Sequence, residues 1–225
     1  MKLLLIAAIL LLGSLEIATA QPAKPSARGE YAYLEILHEH QSPDLCLPTC
    51  VAMALNYYGD EKSQWTIKRL SNEDKDIFSG TSFEEIQQGL KPLGYTWDRW
   101  LWPGDSVGFV NAIHAVEQSL DEGKPVILEI LHHVLPQQPG GNGLPGRRRF
   151  YNHRSHVVGV GHALLAFGYD AQAQELFVMD PAMQFPGKRH LSFDELQTLW
   201  CYFDGRFHAL FTAAAGKLPT GHKEE

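Results

Sequence analysis

The stretch Pro48 to Tyr58, PTCVAMALNYY, is apolar on nearly every face of a helix. A helix without a polar side is buried all round, so the rest of the chain has to be built around this one. Pro48 suits a first helical turn, where its missing N–H would have had no partner. Gly59 suits the C-terminal cap. Two of the three cysteines, Cys46 and Cys50, stand four residues apart where the helix begins.

The N-terminus narrows the setting in which those thiols work. Lys2 precedes the apolar run Leu3 to Leu12, and Ala18-Thr19-Ala20 closes the segment. A basic start, a short apolar core and an Ala-x-Ala end predict a signal peptide over residues 1–20, and therefore a secreted or periplasmic protein. A membrane span would need roughly 20 apolar residues, and Glu16 interrupts this run. Subtracting the signal from the 225-residue chain leaves about 205 residues, the size of a single domain. A net charge of −7 speaks against electrostatic nucleic-acid binding. The Gly146-Arg147-Arg148-Arg149 run reads as a local, solvated loop tip. No later segment is apolar enough to cross a membrane. Three cysteines in an exported chain leave at least one outside any intramolecular bridge.

Residues 21–30, rich in Pro, Ala and Ser, read as a flexible leader, and residues 215–225 as a disordered tail. Between them, residues 31–214 form the domain. Tyr31 to Leu37 has strand propensity. Ser82-Phe-Glu-Glu85 is a capping box whose helix runs toward Gly94, and another helix fills Val107 to Glu122. The period then changes: Pro125 to Leu131 reads as a strand, and Ala163–Phe167 and Leu176–Met179 as two strands of a hairpin. Ser192-Phe-Asp-Glu195 caps a helix toward Trp200, and Arg206 to Thr212 suits a last strand. Helices first and antiparallel strands second predict one α+β domain of two lobes. The Gly/Pro/Arg/His-rich stretch 132–156 reads as a functional lid or an insertion without a role.

A disulfide between Cys46 and Cys50 is disfavoured, because side chains at i and i+4 of a helix run parallel. His38 and His40 share one face of an extended segment and suggest a metal, but no Cys-x-x-Cys or His-Glu-x-x-His accompanies them. A nucleophile is the better reading. Cys46 sits at a helix N-terminus, where free N–H groups and the dipole lower a thiol's pKa. Cys50, a turn inside, reads as a small buried hydrophobe. His162 stands at the entry of the Ala163–Phe167 strand and Asp180 just past the end of the next one. A hairpin brings such positions together, with Asp180 orienting His162 toward Cys46. Gln41, five residues before Cys46, carries an amide N–H₂ able to serve an oxyanion beside the Cys46 N–H. A further expectation is a disulfide between Cys50 and Cys201, with Cys46 free.

The ordered set Gln-x4-Cys-x-Pro-Thr-Cys, Asn56-Tyr-Tyr-Gly59, Gly80-Thr-Ser82, Gly161-His162, Gly168-Tyr-Asp170 and Asp180-Pro181 resembles the papain-like peptidases related to the bacteriocin-processing, double-glycine leader family. The resemblance covers roughly residues 33–212. It implies a papain-like fold, a peptide or protein substrate and no cofactor. It also implies Cys46 as nucleophile, His162 as base, Asp180 as its orienter and Gln41 at the oxyanion. Leu47 departs from the glycine often found after the nucleophile, which suggests a side chain crowding the substrate's path. Two other readings stay open at this point: a catalytically silent peptide-binding domain on the same fold, and a transpeptidase like phytochelatin synthase.

Overall fold

The computed structural model describes residues 29–71, 80–133, 150–151, 158–183, 187–200 and 204–213. The expected signal peptide, most of the leader, the tail, the triple-arginine run, Cys201 and most of the 132–156 insertion lie outside the described residues.

Among the described residues, five α-helices pack on an antiparallel sheet. The strands are β1 (Tyr31–Tyr33), β2 (Thr96–Pro103), β3 (Val126–His133), β4 (Phe150–Tyr151), β5 (Val158–Asp170), β6 (Glu175–Met179), β7 (Lys188–Ser192) and β8 (Arg206–Ala213). The helices are α1 (Cys46–Tyr57), α2 (Gln64–Ser71), α3 (Phe83–Leu90), α4 (Ser106–Asp121) and α5 (Phe193–Trp200). The sheet runs β2-β8-β3-β5-β6-β7, with β1 and β4 also pairing to the long β5.

The apolar helix lies where its composition demands: every residue of α1 from Leu47 to Leu55 is buried. It packs on β3, β5 and α2. Gly59 follows it at φ +78°, a conformation glycine adopts without penalty. Both capping boxes form. Ser82 and Glu85 exchange side-chain-to-backbone hydrogen bonds at the start of α3, and Ser192 and Glu195 do the same at α5. After α3 a single 3₁₀ turn carries the chain to Gly94 at φ +83°, so the helical run ends where the glycine predicts.

Six elements depart from the sequence expectation: β1 ends at Tyr33 and not at Leu37, β4 falls inside the stretch read as a lid or insertion, and four more differ as follows. Helix α2 buries only Gln64, Ile67 and Lys68, which leaves almost no apolar stripe to read. Strands β2 and β7 are the two edges of the sheet. Most of β2 is exposed and β7 buries only Leu191, so neither shows the apolar run of an interior strand. Strand β5 starts at Val158, well before Ala163. Gly159 and Gly161 hide this extension, because glycine is depleted in strands. His162 therefore lies inside β5 rather than at its entry.

Candidate active site

Three chain segments meet at the middle of β5. On one side, β3 pairs along it from Val126↔Ala166 to His133↔Gly159. On the other, β6 pairs only as far as Leu165↔Met179 and β4 takes up the strand again at Gly159↔Phe150, so the stretch of β5 between them has no strand partner on that side. Carrying the register one step on sets Asp180 opposite Leu164, with His162 two residues along on the same face. Diagonal neighbours of this kind are within reach of each other. The His162 Nε2–H donates to Asp180 Oδ1 at 2.8 Å.

The open edge of β5 is filled by the start of α1. Cys50 Sγ donates to the Ala163 carbonyl at 3.5 Å. The Cys46 thiol is hydrogen-bonded to the His162 ring and receives the backbone N–H groups of Ala163 and Leu47. With Nε2 held by Asp180, the ring nitrogen left to Cys46 is Nδ1. The first turn of α1 contains no acidic residue, and its N-cap position, Leu45, makes no side-chain cap. The positive end of the helix dipole is thus left to the thiol.

These contacts polarise the pair. Burial alone would raise the Cys46 pKa, but the hydrogen bond and charge of His162, with the two N–H donors, overcome it and bring the thiol below its ordinary value. Burial disfavours the His162 cation as well. Asp180 and Cys46 outweigh it and push the imidazole up to about 9. The Asp180 carboxyl, though buried, is held below the usual carboxylate range by His162, the Ala182 N–H and Arg189. Cys50 behaves in the opposite way: burial, reinforced by the charges of Cys46 and Asp180, drives its thiol well above the ordinary value. Two thiols one helical turn apart are therefore shifted in opposite directions, Cys46 toward the thiolate and Cys50 toward the neutral thiol.

Asp180 is itself held from several directions. Its Oδ1 also accepts the Ala182 N–H at 3.0 Å, and Arg189 Nη1 lies 3.3 Å from Oδ2. The Asp180 N–H reaches the Gly187 carbonyl at 2.8 Å, and the His38 Nε2–H donates to the Asp180 carbonyl at 3.1 Å. His38, which with His40 had suggested a metal, thus braces the backbone of Asp180. Among the described residues no group of three or more His, Cys, Asp or Glu is arranged to hold a metal ion. Sequence reasoning missed Arg189 and the role of His38. Arg189 lies on an edge strand with no apolar signature, and no local motif marks either residue.

Gln41 is joined to the same corner by its backbone: its N–H donates to the Pro181 carbonyl at 2.8 Å. Its side-chain amide has no hydrogen-bond partner among the described residues, and Oε1 is buried without one. From Gln41 the chain turns tightly into α1, with the Leu45 N–H on the Ser42 carbonyl at 3.1 Å and Asp44 at φ +62°.

Two expectations are corrected. Cys46 and Cys50 are both free, so Cys50 is not bridged to Cys201; its sulfur is occupied by the Ala163 carbonyl in the core. Leu47 is buried in the hydrophobic core, so its side chain is not exposed to crowd a substrate.

With this geometry in place, comparison with known proteins is decisive about kinship. A model of the Peptidase_C39-like family matches residues 33–206. The chain belongs to this family. It is a cysteine peptidase with a papain-like fold. Among solved structures, xylellain, a cysteine protease from Xylella fastidiosa, superposes with a TM-score of 0.53 at 13% identity, over 83% of this chain and 86% of that one. The double glycine motif protease from an AMS/PCAT transporter, solved with the leader peptide, gives 0.50 at 13% identity, over 81% and 95%. The peptidase domain of Streptococcus ComA gives 0.48 at 18% identity, over 80% and 98%. At such identities the likeness concerns the fold. No curated protein sequence matches the chain.

Proposed function

We propose that this peptidase is exported and cleaves peptide bonds through an acyl-thioester on Cys46. The observation that carries this reading is the continuous hydrogen-bonded line Cys46–His162–Asp180. The Cys46 thiolate attacks the scissile carbonyl carbon, and the negative charge moves to the carbonyl oxygen. The Cys46 N–H and the unpartnered Gln41 amide N–H₂ are the donors suited to that oxygen. The His162 imidazolium gives its proton to the leaving amine as the C–N bond breaks, leaving an acyl-thioester and a neutral imidazole. His162 then takes a proton from water, the hydroxide displaces the thiolate, and the carboxylic acid product departs. Asp180 holds the ring in the required tautomer and stabilises its cation.

A peptide substrate accords with the family, and with the leader peptide bound in the similar transporter protease. Export rests on the residue 1–20 pattern. Among the described residues no helix is long and apolar enough to cross a membrane.

Alkylation tests the mechanism. Iodoacetamide labels Cys46 faster than Cys50 below neutral pH, where an ordinary thiol is protonated, and His162→Ala removes the advantage. Equal Cys46 labelling rates in the wild type and His162→Ala would overturn the mechanism and favour a peptide-binding domain.

A further inference from the structure

The Gln41 amide has no partner to hold it, yet an oxyanion donor is effective only when held in place before substrate arrives. What fixes the segment around it is a second glutamine. Gln64, the first residue of α2, is buried, and its amide is hydrogen-bonded at both ends. Oε1 accepts the Ser42 N–H at 2.7 Å and lies 3.1 Å from the Thr49 hydroxyl. Nε2 donates to Glu39 Oε1 at 2.8 Å and to the His40 carbonyl at 3.0 Å. The Ser42 N–H can only donate, which fixes which end of the amide is oxygen.

These partners bracket Gln41 on both sides, at residues 39, 40 and 42. The fourth, Thr49, lies in the opening turns of α1, and its hydroxyl also reaches the Leu45 carbonyl at 2.7 Å, next to Cys46. One planar amide therefore ties the Gln41 loop to the helix start that carries the nucleophile. The remaining anchor of Gln41, its N–H on Pro181, ties it to the Asp180 corner.

We propose that Gln64 is a positioning residue that sets Gln41 against Cys46, an assignment that rests on the oxyanion reading of Gln41. It acts through the loop and does not touch substrate.

Gln64→Glu keeps both accepting contacts and replaces the donating N–H₂ with an oxygen facing Glu39 and the His40 carbonyl. The full chain is assayed for peptide turnover and for Cys46 alkylation, alone and in a Gln41→Ala background. Near pH 7.5, kcat falls by about 10-fold or more, within the cost of weakening one oxyanion donor. Cys46 alkylation stays within about twofold of wild type, because the thiolate–imidazolium pair is untouched. In the Gln41→Ala background the same substitution costs less than about twofold, because its effect passes through Gln41. As pH falls, the ratio of variant to wild-type kcat rises, since a protonated carboxyl can donate again. If Gln64→Glu does not fold, Glu39→Ala removes one acceptor at a partly exposed site and reads the same coupling. Wild-type kcat in both variants, or full additivity with Gln41→Ala, would overturn the assignment. Wild-type turnover in Gln41→Ala would overturn the oxyanion reading and the assignment with it.

Discussion

Replacing Asp180 with asparagine isolates the charge behind the imidazole. Asparagine keeps the size of the side chain and one acceptor, but it brings an N–H₂ that must face either the His162 Nε2–H or Arg189, both donors. His162 stands at about 9 against an ordinary 6.5. At about 1.4 kcal/mol per pKa unit, that gap is roughly 3 kcal/mol of preference for the cation. The side chains of His162 and Asp180 are 10% and 5% exposed, so solvent screens this interaction little. Two anions supply the preference, Asp180 and the Cys46 thiolate. The hydrogen bond to Asp180 leads the contributions that raise the imidazole, so removing the carboxylate lowers it. The signs fix the pH window. The productive pair needs Cys46 ionised, which holds above its lowered pKa, and His162 protonated, which fails as pH rises through about 9. Asp180→Asn should therefore move the alkaline limb of kcat/KM to lower pH. It should also cut turnover at neutral pH by about 10²-fold or more, through loss of ring orientation. Turnover profiles on a peptide substrate, with mass-spectrometric rates of Cys46 alkylation from pH 5 to 10, measure both effects. An unmoved alkaline limb with turnover within about threefold of wild type would refute the assignment of charge and orientation to Asp180.

Two further outcomes follow from other parts of the molecule. Gly187 has φ +63°, and a Cβ there would collide with the His38 ring. Gly187→Ala should displace His38 from the Asp180 carbonyl, costing about 2–3 kcal/mol in chemical denaturation and slowing turnover, whereas unchanged stability and activity would show that the brace is dispensable. For export, mass analysis of the protein from its native host should find Gln21 as the first residue, and an intact Met1 on the mature soluble form would contradict it.

Much of this site was legible because its chemistry coincides with local punctuation. Cys46 stands where an apolar helix begins, and Asp180 stands where a short apolar strand meets Pro181, so both could be placed from their neighbours alone. His162 was paired correctly with Asp180, although β5 begins four residues earlier than His162 and the ring lies inside the strand. The pairing survived because it depends on where β6 ends, not on where β5 starts. The residues that brace the site were not legible, for a common reason. Arg189 sits on an edge strand that buries one leucine, His38 precedes an irregular loop, and Gln64 opens a helix with one buried aliphatic side chain. Each acts across the fold through polar contacts at sequence separations that no period or cap records. The disulfide expected for Cys50 failed because counting cysteines gives no information about which backbone group a buried sulfur faces.

The end of β6 explains why Cys46 lies where it does. Once β6 stops at Met179, the outward N–H and carbonyl of Ala163 lose their ladder partner, and buried backbone groups of this kind require replacements. The start of α1 supplies both: Cys50 donates to the Ala163 carbonyl, and Cys46 receives the Ala163 N–H. The two roles need opposite protonation states. A sulfur that donates has to remain a thiol, and a sulfur that accepts is best as a thiolate. Burial drives the Cys50 pKa up, and the neighbouring thiolate drives it further, while His162 and the helix start hold Cys46 down. Ionising Cys50 would place two negative sulfurs one turn apart and orphan the Ala163 carbonyl. The buried cysteine therefore keeps the strand edge satisfied in the one protonation state that leaves Cys46 free to ionise.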